Sequence, residues 1–298
     1  MLTSPLPDLD SWCRLFASPS IPVLRRTKRQ LDLLAKNIDN VSARDVAKIA
    51  MQDPLMTAKL FALVAEKRAG RQSTDITSVE GCVFMIGVPP FFRAFSNLQT
   101  AEEQLRGTPH SLRGLLRVVR RARKASRLAW DFAHWRTDLA IEEIAMAALL
   151  HDLAEMLVWC FAPELAKRIQ AILKEQPGTR SRAAQRTVLK IELHDLQLAL
   201  FERWHLPELL TTMMDDAHAT QPRICNILAA VNVARHSAHG WSDPALPTDY
   251  EEIARLLNTS VVFVQRQIQG GHGMSTHRGA DDDEPDQATE EGAAAVTA

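Results

Sequence analysis

Apolar residues recur every three or four positions through nearly every segment of the chain between Arg25 and Ile268. This spacing places them on one side of an α-helix, whereas a half-buried strand would alternate at every second position. We find no sustained heptad, no fixed-period repeat and no strand alternation. The sequence therefore predicts an all-α fold and argues against coiled-coil, solenoid and parallel-sheet architectures.

Residues that favour helix starts divide this pattern into separate helices. Ser42 predicts the start of one helix, and Asp53, with a proline directly after it, predicts the start of the next. Residues 77–80 and 248–251 both have the form of a capping box, in which a hydroxyl and a carboxylate three residues later cap a helix. Thr137 predicts a further start.

The length of the chain bears on what its core requires. With 298 residues, 46% of them hydrophobic, it can bury roughly 75% of the surface that its unfolded form exposes. Such a core needs neither disulfides nor a structural metal, and no cofactor is expected on grounds of stability. The N-terminus lacks a basic stretch leading into an apolar run, and we expect no apolar segment to approach the roughly 20 residues that span a bilayer. These features predict no membrane association and a bacterial-type cytoplasmic protein.

The formal net charge of −1 hides an uneven distribution of charge. Residues 281–298 hold seven acidic residues and no basic one, so the rest of the chain is net positive. This segment is poor in large apolar groups and cannot bury enough surface to offset the entropy lost on ordering. We expect disorder from about Gly270 onward. Such a tail would serve either solubility or transient screening of a basic surface elsewhere on the chain.

A long amphipathic helix is predicted from about Ser111 to Trp130. It carries a basic surface of seven residues: Arg113, Arg117, Arg120, Arg121, Arg123, Lys124 and Arg127. The surface would be a solvated face, paired with acidic neighbours or with the acidic tail, or it would bind an anionic nucleotide, an acidic protein or nucleic acid. Nucleic acid is disfavoured, because the cluster lacks interleaved aromatic residues and the chain has no helix-turn-helix or RNA-binding signature.

The sequence feature closest to a chemical site is an adjacent His151 and Asp152, which follow the apolar run 147–150. Imidazole and carboxylate together are good ligands for a divalent ion, and neighbouring helices could complete its shell. Alternatively, Asp152 hydrogen-bonds His151 or caps a helix end. The chain has no glycine-rich phosphate loop, Gly-x-Ser-x-Gly elbow or His-Glu-x-x-His helix, so common nucleotide-binding and hydrolase signatures are absent.

Several short segments together resemble the HDOD branch of the HD-domain superfamily, whose members are regulatory proteins in bacterial signalling. They are IPVL at 21–24, QDPLMTAKL at 52–60, ITSVE at 76–80, MIG at 85–87, ALLHD at 148–152 and WHLP at 204–207. The resemblance covers roughly residues 21–240. It implies an N-terminal helical part and an HD-like bundle, flanked by further segments. The implied ranges are 1–20 (N-terminal arm), 21–105 (helical part), 106–240 (HD-like bundle), 241–268 (C-terminal helices) and 269–298 (disordered acidic tail).

The resemblance also implies a degenerate metal site. A working HD phosphohydrolase holds its metal with one His, the His-Asp pair and a distant Asp. In our alignment Arg117 or Val118 takes the place of the first His, and Asn232 takes the place of the distant Asp. An arginine brings a fixed positive charge, and a neutral amide is a weaker ligand than a carboxylate. The resemblance therefore implies a protein without hydrolytic activity and without catalytic residues.

Two further histidines, His194 and His218, lie where related two-metal enzymes place additional ligands. The residual set is then His151, Asp152, His194 and His218. Such a set could bind a transition metal, although the same groups also make a satisfied polar network without one. We expect no metal to be bound.

The function implied by the resemblance is that of a stand-alone signalling module that binds other signalling proteins. The groove between the N-terminal helices and the HD-like bundle would recognise the partner, and a nucleotide ligand is left open. The alternative is a metal-dependent phosphohydrolase acting on a nucleotide or cyclic dinucleotide. Trp12, which precedes the region of resemblance, would anchor the N-terminal arm to the body or to a partner.

Overall fold

All regular secondary structure in the described part of the chain is helical, so the predicted all-α fold is confirmed. The computed structural model describes residues 1–16, 21–68, 76–138, 140–176, 178–213 and 218–270. Beside the helices there is one isolated parallel bridge, between Val23 and Thr100. The predicted disorder of the acidic tail concerns residues that lie outside the described ranges from 271 onward.

The N-terminal part consists of short helices. They are α1 Leu9–Phe16, α2 Arg25–Ala35, α3 Ala43–Ala50, α4 Pro54–Arg68, α5 Val79–Ile86, α6 Val88–Ala94 and α7 Ala101–Gln104. The predicted cap at Ser42 is confirmed, since its side chain accepts from the Asp45 amide while the Asp45 carboxylate accepts from the Ser42 amide. Asp53 caps α4 as predicted, because its Oδ1 accepts from the amide of Leu55 at 2.9 Å.

The second part is built around one long helix. Its helices are α8 Pro109–Trp135, α9 Ile141–Leu150, α10 Leu153–Phe161, α11 Pro163–Glu175, α12 Ser181–Leu189, α13 Leu193–Arg203, α14 Glu208–Thr212, α15 Pro222–His236, α16 Leu246–Leu257 and α17 Val261–Gln269. Helix α8 packs against α9, α10 and α15, and α4 joins the N-terminal part to the same core by contacting α8, α9 and α10.

Helices α8 and α10 approach closely at Gly114. A β-carbon at this position would lie 2.5 Å from the indole ring of Trp159 on α10. No side chain larger than hydrogen fits there without displacing the ring, because protein interiors are close-packed. Gly114 therefore fixes the spacing between the long helix and the helix that follows the His-Asp pair.

One apolar stretch of the described chain, Ile141–Phe161, is 21 residues long and apolar enough to cross a membrane by length and composition. The prediction that no segment approaches this length is therefore wrong. The stretch is divided between α9 and α10 and is mostly buried, as the core helices of soluble proteins are. Its apolar character is thus accounted for by its place in the centre of the fold.

The N-terminal segment is docked on the body of the protein. In α1, the side chains of Trp12 and Phe16 are fully buried, and α1 packs against α13. The indole Nε1 of Trp12 donates to the carbonyl of Leu189 at 3.3 Å, and the amide of Leu2 donates to the carbonyl of Phe161 at 2.8 Å. Of the two anchoring roles predicted for Trp12, the structure supports attachment to the body.

Three predicted helix starts are wrong. Thr137 lies at φ +56°, and its amide donates to the carbonyl of His134, so it closes α8 and does not begin α9. Residues 248–251 lie inside α16, which begins at Leu246 and has a proline in its first turn. The cap of α5 is Ser78, one residue later than the capping box at 77–80 predicts.

Candidate functional site: the His-Asp pair

His151 and Asp152 lie in the two-residue break between α9 and α10. The break is bridged by Gln197 of α13, which is buried. Its amide nitrogen donates to the carbonyls of Leu150 and His151, and its Oε1 accepts from the amide of Ala154 at 3.0 Å. Because helix ends leave carbonyls and amides without partners, one side chain here satisfies both ends of the break. Gln197 thereby fixes the backbone that carries the pair.

Both carboxylate oxygens of Asp152 have partners. Arg121 of α8 donates to Oδ2 through Nε at 2.9 Å and through Nη2 at 2.6 Å. The Nδ1–H of His151 donates to Oδ1 at 2.9 Å, and Nη2 of Arg235 on α15 lies 3.6 Å from the same oxygen. The side chain of Asp152 is only 12% exposed. The carboxylate is therefore enclosed by positive charge and hydrogen-bond donors.

Arg121 joins a second carboxylate to this network. Its Nη2 donates to Oε2 of Glu155, which lies in the first turn of α10, at 2.7 Å. Burial alone would lower the pKa of Arg121, but the charges of Asp152 and Glu155 and the hydrogen bonds to them raise it above its usual value. The guanidinium is thus a permanent positive charge at this place.

The ionisation of Asp152 follows from the same contacts. Burial alone would raise its pKa, because a charged group loses hydration. The hydrogen bond from His151 and the charges of His151, Arg121 and Arg235 outweigh this effect and hold the pKa of Asp152 well below its usual range. The carboxylate is consequently ionised at neutral pH.

These residues do not fit the metal that an HD enzyme holds. The two Arg121 hydrogen bonds occupy Oδ2 of Asp152, where a cation would have to approach a fixed positive charge. Among the residues that the structure describes, no three His, Cys, Asp or Glu side chains come together as a metal site. The donor set at the pair is suited to an ion-pair network.

The other predicted site residues are dispersed. His194 is half-buried in the first turn of α13, and His218 is half-buried just before α15. Neither joins His151 and Asp152 in a metal-holding group within the described ranges, so the predicted four-residue cluster is not formed. Asn232 is half-buried on α15, three residues before Arg235.

The arginine that meets the pair is not the one predicted. Arg117 is exposed on the outside of α8, and the guanidinium bound to Asp152 comes from Arg121, one helical turn later. The sequence held a signal for this, because Arg121 stands three residues after Val118 and four before Ala125, both of which are buried. Gln197 was missed although it lies within the apolar side of α13, four residues before the buried Phe201.

The predicted basic surface of α8 is divided. Four of its arginines are exposed, Arg113, Arg117, Arg120 and Arg127, whereas Arg121, Arg123 and Lys124 are half-buried. Lys124 donates to Oγ of Ser237 at 2.7 Å, and its Nζ lies 4.4 Å from the centre of the Trp241 ring. Lys124 therefore attaches the segment that follows α15 to the long helix.

Comparison with known proteins points to one family. A model of the HDOD domain matches residues 21–220, about two thirds of the chain. No curated protein matches this sequence.

Two solved structures have a similar fold. The MmoQ response regulator of Methylococcus capsulatus superposes with a TM-score of 0.62 at 18% identity, covering 80% of this chain and 98% of that one. A virulence factor from Campylobacter jejuni gives a TM-score of 0.59 at 19% identity, covering 88% of this chain and 92% of that one. At these identities the likeness concerns the fold.

Proposed function

Since this chain belongs to the HDOD domain family, whose members are signalling-related proteins, we propose that it is a non-catalytic signalling module that works by binding other proteins. The family match confirms the resemblance found in the short sequence segments. MmoQ is a response regulator, and the shared fold supports a signalling role here as well. We place the module in a bacterial cytoplasm.

The observation that carries this proposal is the hydrogen-bonded ion pair between Arg121 and Asp152. In a hydrolytic HD site the Asp of the pair is a metal ligand, and the metal activates the attacking water. Here that carboxylate is committed to a guanidinium, whose charge opposes a divalent cation. In this proposal the Arg121–Asp152 ion pair is structural and joins α8 to the break between α9 and α10. The protein then acts by binding partners at its surface.

The N-terminal helices offer a surface for a protein partner. Phe84 on α5 is 82% exposed, and its neighbour Met85 is exposed as well. Large apolar groups in water are characteristic of protein contact sites, especially where several lie together. Because α5 packs on α3, and α3 packs on α2, this surface belongs to the part of the chain that we expect to recognise the partner.

The absence of catalysis can be tested on the purified full-length protein. The protein is incubated with Mn²⁺, Fe²⁺ or Zn²⁺ and then desalted. We expect inductively coupled plasma mass spectrometry to find far less than one metal ion per chain. We further expect no hydrolysis of bis-p-nitrophenyl phosphate, nucleotides or cyclic dinucleotides above that of Asp152→Asn. Stoichiometric metal together with phosphate release that vanishes in Asp152→Asn would refute the proposal and support the phosphohydrolase.

Protein binding can be tested by photo-crosslinking in the native host. A benzophenone amino acid replaces Phe84, which is 82% exposed, in one full-length protein and Arg168, a charged and exposed residue on α11, in another. We expect a discrete protein adduct from position 84 and none of the same mass from position 168. Adducts that are equal at both positions, or absent from position 84, would contradict partner recognition by the N-terminal helices.

A further inference from the structure

Three exposed arginines form a row on the outside of α8. Arg113, Arg117 and Arg120 are separated by four and three residues, so they lie on the same face of the helix. We call these three residues the arginine stripe. Among the described residues, no carboxylate lies within ion-pair distance of any of them, and the nearest polar partner of Arg113 is the ring of His110 at 2.7 Å.

The stripe differs in this respect from the next arginine on the helix. Arg121 is neutralised by Asp152 and Glu155, whereas the stripe concentrates three positive charges within about 11 Å of helix. Like charges at these spacings destabilise a helix by a few tenths of a kcal/mol per pair. An acidic segment laid along the stripe would relieve this repulsion.

The chain itself contains a segment of the complementary charge. Seven acidic residues lie between positions 281 and 291, with no basic residue among them or after them. They begin eleven residues after Gly270, the last residue that the structure describes. The acidic segment is therefore covalently attached to the end of α17 through a linker of fixed length.

The acidic segment is attached close enough to reach the stripe. Phe263 of α17 lies against Trp135, the last residue of α8, with ring centres 6.0 Å apart. From Trp135 back to Arg117 is about 27 Å at 1.5 Å per helical residue. Eleven extended residues after Gly270 span up to about 38 Å, and twenty-one span about 72 Å. If α17 points away from α8, the seven residues from Phe263 to Gly270 add about 11 Å, and the later acidic residues of the segment still reach the stripe.

We propose that the acidic segment 281–291 binds the arginine stripe of its own chain. A short tether gives the segment an effective concentration of about 1 mM, so weak electrostatic attraction is enough to keep the stripe covered. The segment then competes with any other polyanion for this face. The inference does not depend on the proposed function, because it concerns a surface outside the His-Asp pair.

The charge pattern favours this occupant over nucleic acid. Single-stranded nucleic acids are held by basic residues together with aromatic rings that stack on the bases. The stripe itself contains no aromatic residue, and the nearby Trp241 ring lies under the ammonium of Lys124. Nucleic-acid binding is nevertheless a distinct outcome of the experiment.

The test uses full-length proteins and a labelled peptide with the sequence of residues 279–292. In the tail-neutral protein, all seven acidic residues from 281 to 291 are changed to their amides. We expect this protein to bind the peptide about tenfold more tightly than the natural chain by fluorescence anisotropy at low salt, since its own segment no longer competes. The affinity should fall steeply as salt is added.

Two charge-reversed proteins locate the binding site. In the tail-neutral background, Arg113→Glu, Arg117→Glu and Arg120→Glu together should abolish peptide binding. The matched control reverses three exposed cations of α2 and α3, Arg26→Glu, Arg44→Glu and Lys48→Glu, and should leave binding unchanged. Circular dichroism verifies that both proteins are folded.

Three results would overturn the proposal. One is equal peptide affinity for the natural and tail-neutral chains. Another is a loss of binding that is no greater for the stripe reversal than for the control reversal. The third is a single-stranded oligonucleotide that binds the natural chain as tightly as the tail-neutral chain, because the stripe would then be an open nucleic-acid surface.

Discussion

At the scale of single residues, the guanidinium of Arg121 donates to two carboxylates that are themselves largely withdrawn from water. Arg121→Ala would leave Asp152 buried with fewer partners, and the loss of one member of a buried ion pair is strongly destabilising. We expect the free energy of unfolding to fall by about 2–4 kcal/mol, measured by urea denaturation followed by circular dichroism.

Arg117→Ala is the matched control for this change. Arg117 lies one turn earlier on α8 and is exposed, so its loss should alter stability by no more than about 0.5 kcal/mol. Equal effects of the two substitutions would show that the contact with Asp152 contributes nothing specific to stability.

The lowered pKa of Asp152 predicts how stability changes with pH. In the folded chain the pKa lies below the ordinary value of 3.8, whereas in the unfolded chain it returns to that value. The ionised carboxylate therefore stabilises the fold above about pH 4, and this contribution is lost as the pH falls below it. We expect the stability difference between the natural protein and Asp152→Asn, measured by urea denaturation, to shrink from pH 6 to pH 3.

The relevant measurement is the difference between the two proteins, because other carboxylates titrate over the same range. Asp45 and Glu103, whose pKa values are lowered chiefly by hydrogen bonds at helix starts, contribute equally to both. A difference that stays constant down to pH 3 would mean that the pKa of Asp152 is not lowered by folding.

Part of the His-Asp site could be predicted from the sequence, and part could not. The hydrogen bond between His151 and Asp152 was one of the alternatives that their adjacency allowed, and it is formed. Which arginine binds Asp152 depends on how α8 is rotated about its axis relative to α10. Because α8 carries seven basic residues, the sequence does not show which of them faces α10. Arg235 approaches from α15, more than eighty residues away in sequence, and no local pattern marks it.

At the scale of helices, the contact between Gly114 and Trp159 sets the distance between α8 and α10. Gly114→Ala introduces a methyl group into a space that the indole already fills. Overpacking of this kind costs about 1–3 kcal/mol. We expect a corresponding loss of stability in urea denaturation, despite the higher helix propensity of alanine.

Two further proteins check the cause of this effect. Gly107→Ala should be nearly neutral, because a β-carbon there meets nothing within 4 Å. Trp159→Leu in the Gly114→Ala background should cost less than Trp159→Leu alone, since the smaller side chain leaves room for the methyl group. Simple additivity of the two substitutions would argue against a steric conflict.

Helix boundaries could be predicted where capping is local. Ser42 and Asp53 cap their helices through contacts within three residues, so the sequence contains all the necessary information. The prediction failed at Thr137, which adopts a left-handed conformation to close α8, a role that threonine seldom takes. The break between α9 and α10 has no local mark of this kind, because it depends on Gln197 from a distant helix.

At the scale of the whole molecule, the N-terminal segment is part of the folded core. Trp12→Ala would open a large cavity between α1 and α13 and remove the hydrogen bond to Leu189. We expect a loss of about 3–5 kcal/mol, measured by urea denaturation. Trp241→Ala is the control, because that ring is 42% exposed and should cost about 1 kcal/mol or less.

Equal losses from the two tryptophan substitutions would mean that the N-terminal segment does not contribute to the core. The sequence alone left this open, since Trp12 precedes the region that resembles the family. Its burial depends on α13 and on the end of α12, whose positions follow from the assembly of the entire bundle.

The short backbone pairing between Val23 and Thr100 has a consequence for recognition. Val23 exchanges hydrogen bonds with the backbone at Gln99 and Ala101, and the adjacent Leu24 amide donates to the buried Asp53 at 2.8 Å. These hydrogen bonds hold the start of the N-terminal helical part, at residues 23–24, against its end, at residues 99–101. Helices that are already held in place need little ordering on binding, so any protein contact made by the N-terminal helices that we propose as the recognition surface would cost little conformational entropy, which favours affinity.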